Sequence, residues 1–496
     1  MKHIRLVCLV LVALFLLVAC ATPGDDDSQD TTTPTATQPG ETTPADSGGD
    51  ETTLPTYDFP DVTYNNEVFR IFNGTQNYNM IMNVTADDVT GEKVSDSIHN
   101  NVVTIEEQFH VKLEETLSPF GSDMLTVVRT EMQSGDAKHD VVYLYSTLVG
   151  SLIGSGGLSN LYDNEAINMD GEWWNQALKN DATLYGSNLY YLVSDAHLMS
   201  FEGTWCMYFN KEIMTNLGIE FPYAAVRNNE WTMEKLYTYA AAGASLNGDA
   251  SYDWNANGSS VYGLASFKNL MNALVVGCDA MYVRKDANDV PYYSFPTENS
   301  LYDKFEAITR ITGEAGTYIS ANARSSGLHY IETIFSQGRS MLMGGEIKAA
   351  ANELTETDFE FGIVPIPKYN SAQENYKSNM LWSTLLMTIP VTAPDPERSG
   401  VIMDALSYLA MVNTMPVYYD RVSYKGLADN DSIEMLDIIN GSRYLNWGLT
   451  YGWLSSIEPN VNSMLDSGNS SLASIVRSSD RIVPNLIKKT LESIKK

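Results

Sequence analysis

Three sets of residues in this chain pair flat aromatic faces with hydrogen-bonding neighbours. Tyr145, Ser146 and Thr147 close the apolar run 140–145, Trp173 and Trp174 stand together in a polar loop, and Glu202 and Trp205 flank Gly203. Such sets suit a ligand with apolar C–H faces and a rim of hydroxyls. The aromatic ring carries the face, and a carboxylate or hydroxyl fixes the orientation. Glu202 has the strongest claim among them, because a carboxylate between two crossing strands is costly to bury without a partner. Core packing is the competing account of every aromatic on the list.

The segment that must position Glu202 and Trp205 is 190–219. Two β-rich runs, 189–193 and 205–209, are joined by a polar stretch, 194–204. Tyr208-Phe209-Asn210-Lys211 then leads into an amphipathic turn closed at Gly218. This arrangement predicts a hinge beneath a ligand cleft, where the chain leaves one lobe and enters another.

The chemistry of an enzyme is not marked out. There is no Gly-x-Ser-x-Gly elbow, zinc spacing or phosphate loop, so no catalytic residue and no cofactor is assigned. Paired carboxylates occur throughout so acidic a chain and carry no signal for glycoside hydrolysis. His99, His110, His139, His197 and His329 are scattered without ligand spacing, and no metal site is assigned. Asp253-Trp-Asn255-Ala-Asn257-Gly258 resembles half of a calcium loop, but Leu264 stands where a bidentate Glu belongs. A plain turn before a strand at 261–265 is the favoured reading.

With 62 acidic and 31 basic residues the formal charge is −31. That balance repels nucleic acid and anionic headgroups. A chain of 496 residues exceeds one ordinary core, and 44% hydrophobic with 10% aromatic content fits a folded protein. The 29 Tyr and 8 Trp suit sugar-like or peptide ligands.

Residues 1–20 combine basic Lys2 and Arg5, an apolar stretch 6–18 too short for a comfortable span, and Leu17-Val18-Ala19-Cys20. This is the pattern of a bacterial lipoprotein signal, in which cleavage before Cys20 exposes a thiol for lipidation. Residues 21–58, dominated by Thr, Pro, Asp, Gly and Ser, predict a disordered tether. Cys8 leaves with the signal; Cys206 and Cys278 remain as two buried thiols or a disulfide.

Periodicity predicts strands at 68–72, 111–115 and 140–145, and helices at 94–109 and 122–133. The run 140–145 is apolar enough for the interior of a parallel sheet. Further strands are expected at 261–265, around Met341, at 359–363 and at 381–389, with a helix at 397–411. Thr232 is expected to cap a helix over Lys235. The alternation predicts an α/β fold, with ligand beyond the carboxyl ends of the strands.

Several motifs then occur in one order: Gly157-Leu158-Ser-Asn-Leu161 after the run 140–145, Tyr208-Phe-Asn-Lys211, Glu230-Trp-Thr232, Phe335-Ser-Gln-Gly338-Arg-Ser-Met341-Leu-Met343 and Pro365-Ile-Pro367-Lys368. Over roughly residues 65–490 the chain resembles the extracellular solute-binding proteins of the maltose-binding, "family 1" group, receptors of ABC importers. Trp173-Trp174, Gly203-Thr-Trp205-Cys206, Ile433-Glu-Met-Leu-Asp-Ile438 and Trp447-Gly448 resemble a clostridial lipoprotein subgroup.

The resemblance implies a two-lobed, periplasmic-binding-protein-like (type II) α/β fold with a ligand cleft between lobes. It places lobe 1 at 59–196 and 378–418 and lobe 2 at 197–377 and 419–496. It implies a monomeric receptor, lipid-anchored at the outer face of the cell membrane, that delivers a mono- or oligosaccharide to ABC permease subunits. A cleft acid falls near Glu202, the position after the glycine turn is Glu346, and the tail tryptophan corresponds to Trp447 or Trp453. The full set of expected ligand contacts is Tyr145, Ser146, Trp173, Trp174, Glu202, Trp205, Glu346, Trp382 and Trp447. The rival readings are a surface glycosidase and a sensing or adhesive lipoprotein on the same fold.

Overall fold

A computed structural model describes residues 55–76, 78–119, 122–321, 330–425, 427, 429–469 and 471–495. The expected signal peptide, most of the tether, Cys8, Cys20 and His329 lie outside the described residues.

The chain runs through β1 (Glu67–Thr75), β2 (Val111–Pro119) and β3 (Val141–Tyr145), then β4 (Trp205–Asn210), β5 (Tyr262–Ser266), β6 (Tyr318–Ser320), β7 (Ser340–Glu346) and β8 (Phe361–Val364), and returns through β9 (Leu385–Thr388). Two sheets result. The first has the order β9-β3-β1-β2, parallel except for β9; the second has the order β8-β4-β7-β5-β6. In the second, β4 runs antiparallel to both β8 and β7, while β5 is parallel to β7 and β6. Helices alternate with the strands, as the 3.6-residue and two-residue periods require.

Local chemistry accounts for the elements. In β3 all five residues are buried, as in a strand covered on both faces. Helix α1 (Lys93–Phe109) buries Val94, Ile98, Val102, Ile105 and Phe109 on one stripe, and the Glu92 side chain caps it by accepting from the Ser95 amide. Helix α2 (Ser122–Ser134) follows β2, and α3 (Ser146–Ile153) starts directly at the end of β3. Thr232 caps its helix by accepting from the Lys235 amide. Cys206 and Cys278 are both buried and both free.

The crossing segment differs from its expected form. The run 189–193 makes no strand ladder; it meets β9 through one bridge, with Leu192 and Met387 exchanging backbone hydrogen bonds of 3.0 and 3.1 Å. Leu189, Tyr191, Leu192 and Val193 are nevertheless buried, and burial rather than sheet pairing gives the run its β-like composition. The polar stretch 194–204 is buried as well, apart from half-buried Asp195, and holds a short helix, α4 (Met199–Glu202). Its polarity serves internal bonds, such as that from Ser407 Oγ to Ser194 Oγ at 2.8 Å.

The helix expected at 397–411 is longer. Asp395 caps α5 (Pro396–Leu409), which passes through a widened turn, Ala410–Thr414, into α6 (Met415–Lys425). The strand expected at 381–389 is confined to β9, with the pair Ser378–Asn379 bonded separately to Arg443–Tyr444. The tail reaches both halves. Tyr451 donates to the Ala182 carbonyl at 3.0 Å, and its backbone lies where a Cβ on Gly150 of α3 would fall. Helix α7 (Glu458–Asp466) is tied to the second sheet through the Tyr318 hydroxyl, 2.7 Å from Asp466 Oδ1.

Candidate functional site

The carboxyl end of β3, the start of β4, the end of β5 and the tail enclose a cavity of about 490 Å³. Thr147 follows β3, and Asn379 and Trp382 precede β9; Trp205 opens β4, and Lys268, Asn269 and Asn272 follow β5; the tail adds Leu449, Ser455, Glu458, Pro459 and Asn462. Its place beyond the strand ends of open sheets is where α/β folds put ligands. Trp205, at the start of β4, and Trp382, just before β9, supply its aromatic side chains.

The strand ends hold this geometry. Ser146 Oγ donates to the Trp382 carbonyl at 2.5 Å, and the Ser146 amide donates to the Thr384 carbonyl at 2.8 Å. Tyr145 Oη donates to the Thr75 carbonyl at 2.6 Å, tying the ends of β3 and β1 together. On the other side Ser266 Oγ donates to the Gly344 carbonyl, and a Cβ on Gly344 would meet Leu270 at 2.8 Å. Glycine is needed there for that close approach.

The polar lining is rich in unused acceptors. Asn272, Asn379 and Asn462 are 4%, 4% and 7% exposed, and the amide oxygen of each is buried without a hydrogen-bond partner. All three side chains border the cavity, so its wall carries amide groups able to donate and accept hydrogen bonds. Glu458 is buried beside them, and its Oε2 accepts from Asn446 Nδ2 at 2.6 Å. Burial lifts its pKa to about 7, the Asn446 bond opposing.

The structure brings some of the expected site residues together and disperses others. Trp205 and Trp382 line the cavity; Tyr145 and Ser146 are buried behind it. Glu346 lies opposite Trp205 in the β4–β7 ladder and is buried, its carboxyl raised by desolvation. Glu202 is fully buried outside the lining. Its Oε2 accepts from the Ile81 amide at 2.6 Å and its Oε1 from the Tyr418 hydroxyl at 2.8 Å, so it ties the segment after β1 to α6. Trp173 and Trp174 also lie elsewhere, each donating its indole N–H to Asp404 Oδ1 at 2.8 Å. Trp447 is buried edge-on against Trp453, 5.7 Å between ring centres.

Asn272, Asn379, Asn462, Lys268 and Glu458 were not picked out from sequence. Asn462 sits inside a helix and Glu458 at a helix start, where an acid suits the dipole anyway. Only the fold gathers them.

No protein-family model matches the chain, and no curated protein matches its sequence. Solved structures match its fold. An ABC substrate-binding protein from Listeria monocytogenes in complex with cycloalternan gives a TM-score of 0.55 at 13% identity, covering 86% of this chain and 99% of that one. RafE from Streptococcus pneumoniae, in its apo form, gives 0.54 at 12%, covering 87% and 100%. M. tuberculosis UspC gives 0.56 at 14%, covering 84% and 100%. The likeness is one of fold: two α/β lobes with a ligand cleft between them.

Proposed function

We propose that this chain is the solute-binding receptor of an ABC importer and that it takes a carbohydrate in the cleft between its lobes. One observation carries the reading: a cavity beyond the strand ends walled by Trp205 and Trp382 and bordered by the side chains of Asn272, Asn379 and Asn462. Sugar rings present C–H faces to indoles and hydroxyls to polar side chains such as those that line this cavity. The fold shared with sugar-binding proteins adds to it.

The finer points belong to the same proposal. The signal-like residues 1–20 and the tether 21–58 fit a receptor anchored by lipid on Cys20 outside the membrane, presenting its loaded form to permease subunits. Lobe 1 comprises 59–196 and 378–418, and lobe 2 comprises 197–377 and 419–496; the strand membership of the two sheets supports this division. Trp205 and Trp382 contact ligand, Glu346 stands beside Trp205 outside the cavity lining, and Tyr145 and Ser146 give support. Glu202, Trp173, Trp174 and Trp447 act by holding the frame. Among the residues lining the cavity Glu458 is the one carboxylate, whereas most glycoside hydrolases use a pair, which favours binding over turnover.

The test is a thermal-shift screen of the purified protein against mono- and oligosaccharides, with product analysis on each hit. A ligand at 100 times its Kd adds about 2.7 kcal/mol and raises the melting temperature. A shift without product is expected. Cleavage would establish the glycosidase instead, and silence across a broad panel would reject the carbohydrate.

A further inference from the structure

The tail places one buried carboxylate at the edge of the cavity. Glu458 opens α7, is 5% exposed, and borders the cavity together with Asn462, four residues on along the same helix face. An acid at a helix start suits the dipole, but an exposed side chain serves the dipole as well. Burying Glu458 carries a desolvation cost that the dipole does not call for.

One of its two oxygens is answered inside the protein. Asn446 Nδ2 donates to Glu458 Oε2 at 2.6 Å. Asn446 is itself held: it is 7% exposed, and its carbonyl accepts from the Leu449 and Thr450 amides at 2.9 and 3.1 Å. Among the described residues no donor reaches the other oxygen, Oε1. The carboxylate therefore stands in the cavity wall with its orientation set and one acceptor unused. Burial lifts its pKa to about 7, so it is ionised on the alkaline side of neutral.

The chemistry of that oxygen narrows what can meet it. The side chains of Asn272, Asn379 and Asn462 both donate and accept, whereas an ionised carboxylate only accepts. A sugar hydroxyl supplies the donor, and a bond to a charged acceptor is stronger than one between neutral groups. A sugar acid would bring a second carboxylate into the same desolvated space, where like charges are penalised. Lys268 also borders the cavity, but its charge acts as well on Asp466, at the far end of α7.

We propose that Glu458 is the acceptor that fixes the hydroxyls of the ligand in this cavity, and that it gives the site a preference for neutral sugars over sugar acids. This rests on the carbohydrate reading and narrows it.

Isothermal titration of the purified protein at pH 8 tests it. The probes are neutral hexoses, disaccharides and trisaccharides, with glucose, galactose and mannose each paired with its uronic acid. A neutral sugar should bind at least about tenfold tighter than its uronate. Glu458→Gln keeps an acceptor for Asn446 but removes the charge, and should narrow that preference. Glu458→Ala removes the acceptor and should weaken the neutral sugar by about tenfold or more, with circular dichroism showing a folded chain. A uronate bound as tightly as its parent, a preference unchanged in Glu458→Gln, or an affinity unchanged in folded Glu458→Ala would overturn the assignment of Glu458 alone. No binding of any probe would overturn the carbohydrate reading and this inference with it.

Discussion

The Ser146 hydroxyl donates to the Trp382 carbonyl at 2.5 Å, so the end of β3 holds the turn that carries one of the two cleft tryptophans. Ser146 is 1% exposed and does not line the cavity, so its influence on ligand runs through Trp382. Ser146→Ala should cost about 1 kcal/mol of stability, the ordinary net value of a buried hydrogen bond. Its effect on affinity should be small beside that of Trp382→Ala, which removes a wall and should weaken binding by about tenfold or more. Titrating both variants with the best thermal-shift hit measures the difference. Equal losses would mean that Ser146 touches ligand directly.

Asp404 receives both indole N–H groups of Trp173 and Trp174 on one oxygen. Asp404→Ala would leave two buried donors unpaired, and stability should fall by about 3 kcal/mol. Ligand affinity should stay unchanged, because none of the three residues lines the cavity. Urea unfolding and a ligand titration on the same preparation separate the two. A large loss of affinity in a folded variant would return the tryptophan pair to the binding site.

The contrast between these residues shows what could be read in advance. The order β1, α1, β2, α2, β3 was legible because each element buries one clean face: Val94, Ile98, Val102, Ile105 and Phe109 recur at helical spacing, and β3 is apolar throughout. The run 189–193 misled because burial selects the same residue types whether or not a ladder forms. The site was harder. Trp173, Trp174 and Trp447 have the composition of sugar platforms and the environment of core, and only position distinguishes the two. Asn272, Asn379 and Asn462 carry no sequence signal, since what sets them apart is a missing partner. Glu202 was expected to need a partner if buried; it has two, Ile81 and Tyr418, and both belong to the frame.

Cys206 and Cys278 are fully buried free thiols whose ionisation burial pushes up, that of Cys278 to about 12. Thiolate is the reactive form, so both should be inert in the folded protein. Ellman's reagent should titrate neither before denaturation and both after it, and a reductant should leave the melting temperature where it was. A fall in melting temperature with reductant would reveal a disulfide and contradict the structure.

Stability should decline as the solution becomes alkaline. Glu202, Glu332 and Glu458 are raised from 4.5 to about 7, in each case first by burial. Between those values the folded chain binds more protons than the unfolded one, so the stability each group contributes is complete below 4.5 and is lost as pH rises through 7. Asp404, raised from 3.8 to about 6 by burial, acts in the same direction. His197 opposes them: burial lowers it from 6.5 to about 3, so its contribution grows as pH rises toward 6.5. Glu131, Asp279 and Asp429 are lowered and act below their usual values, outside this window. Asp181, Glu346, Asp437 and Asp466 are raised by burial too, so among the described residues eight raised carboxyls stand against one lowered histidine, and the melting temperature should fall between about pH 5 and about pH 8. Glu202→Gln should make that fall shallower, since it removes one titrating group while its amide oxygen still accepts from Ile81 or Tyr418. A melting temperature that climbs across the same range, or a slope unchanged in Glu202→Gln, would refute the assignment of Glu202 as a buried carboxyl that folding favours in its protonated form.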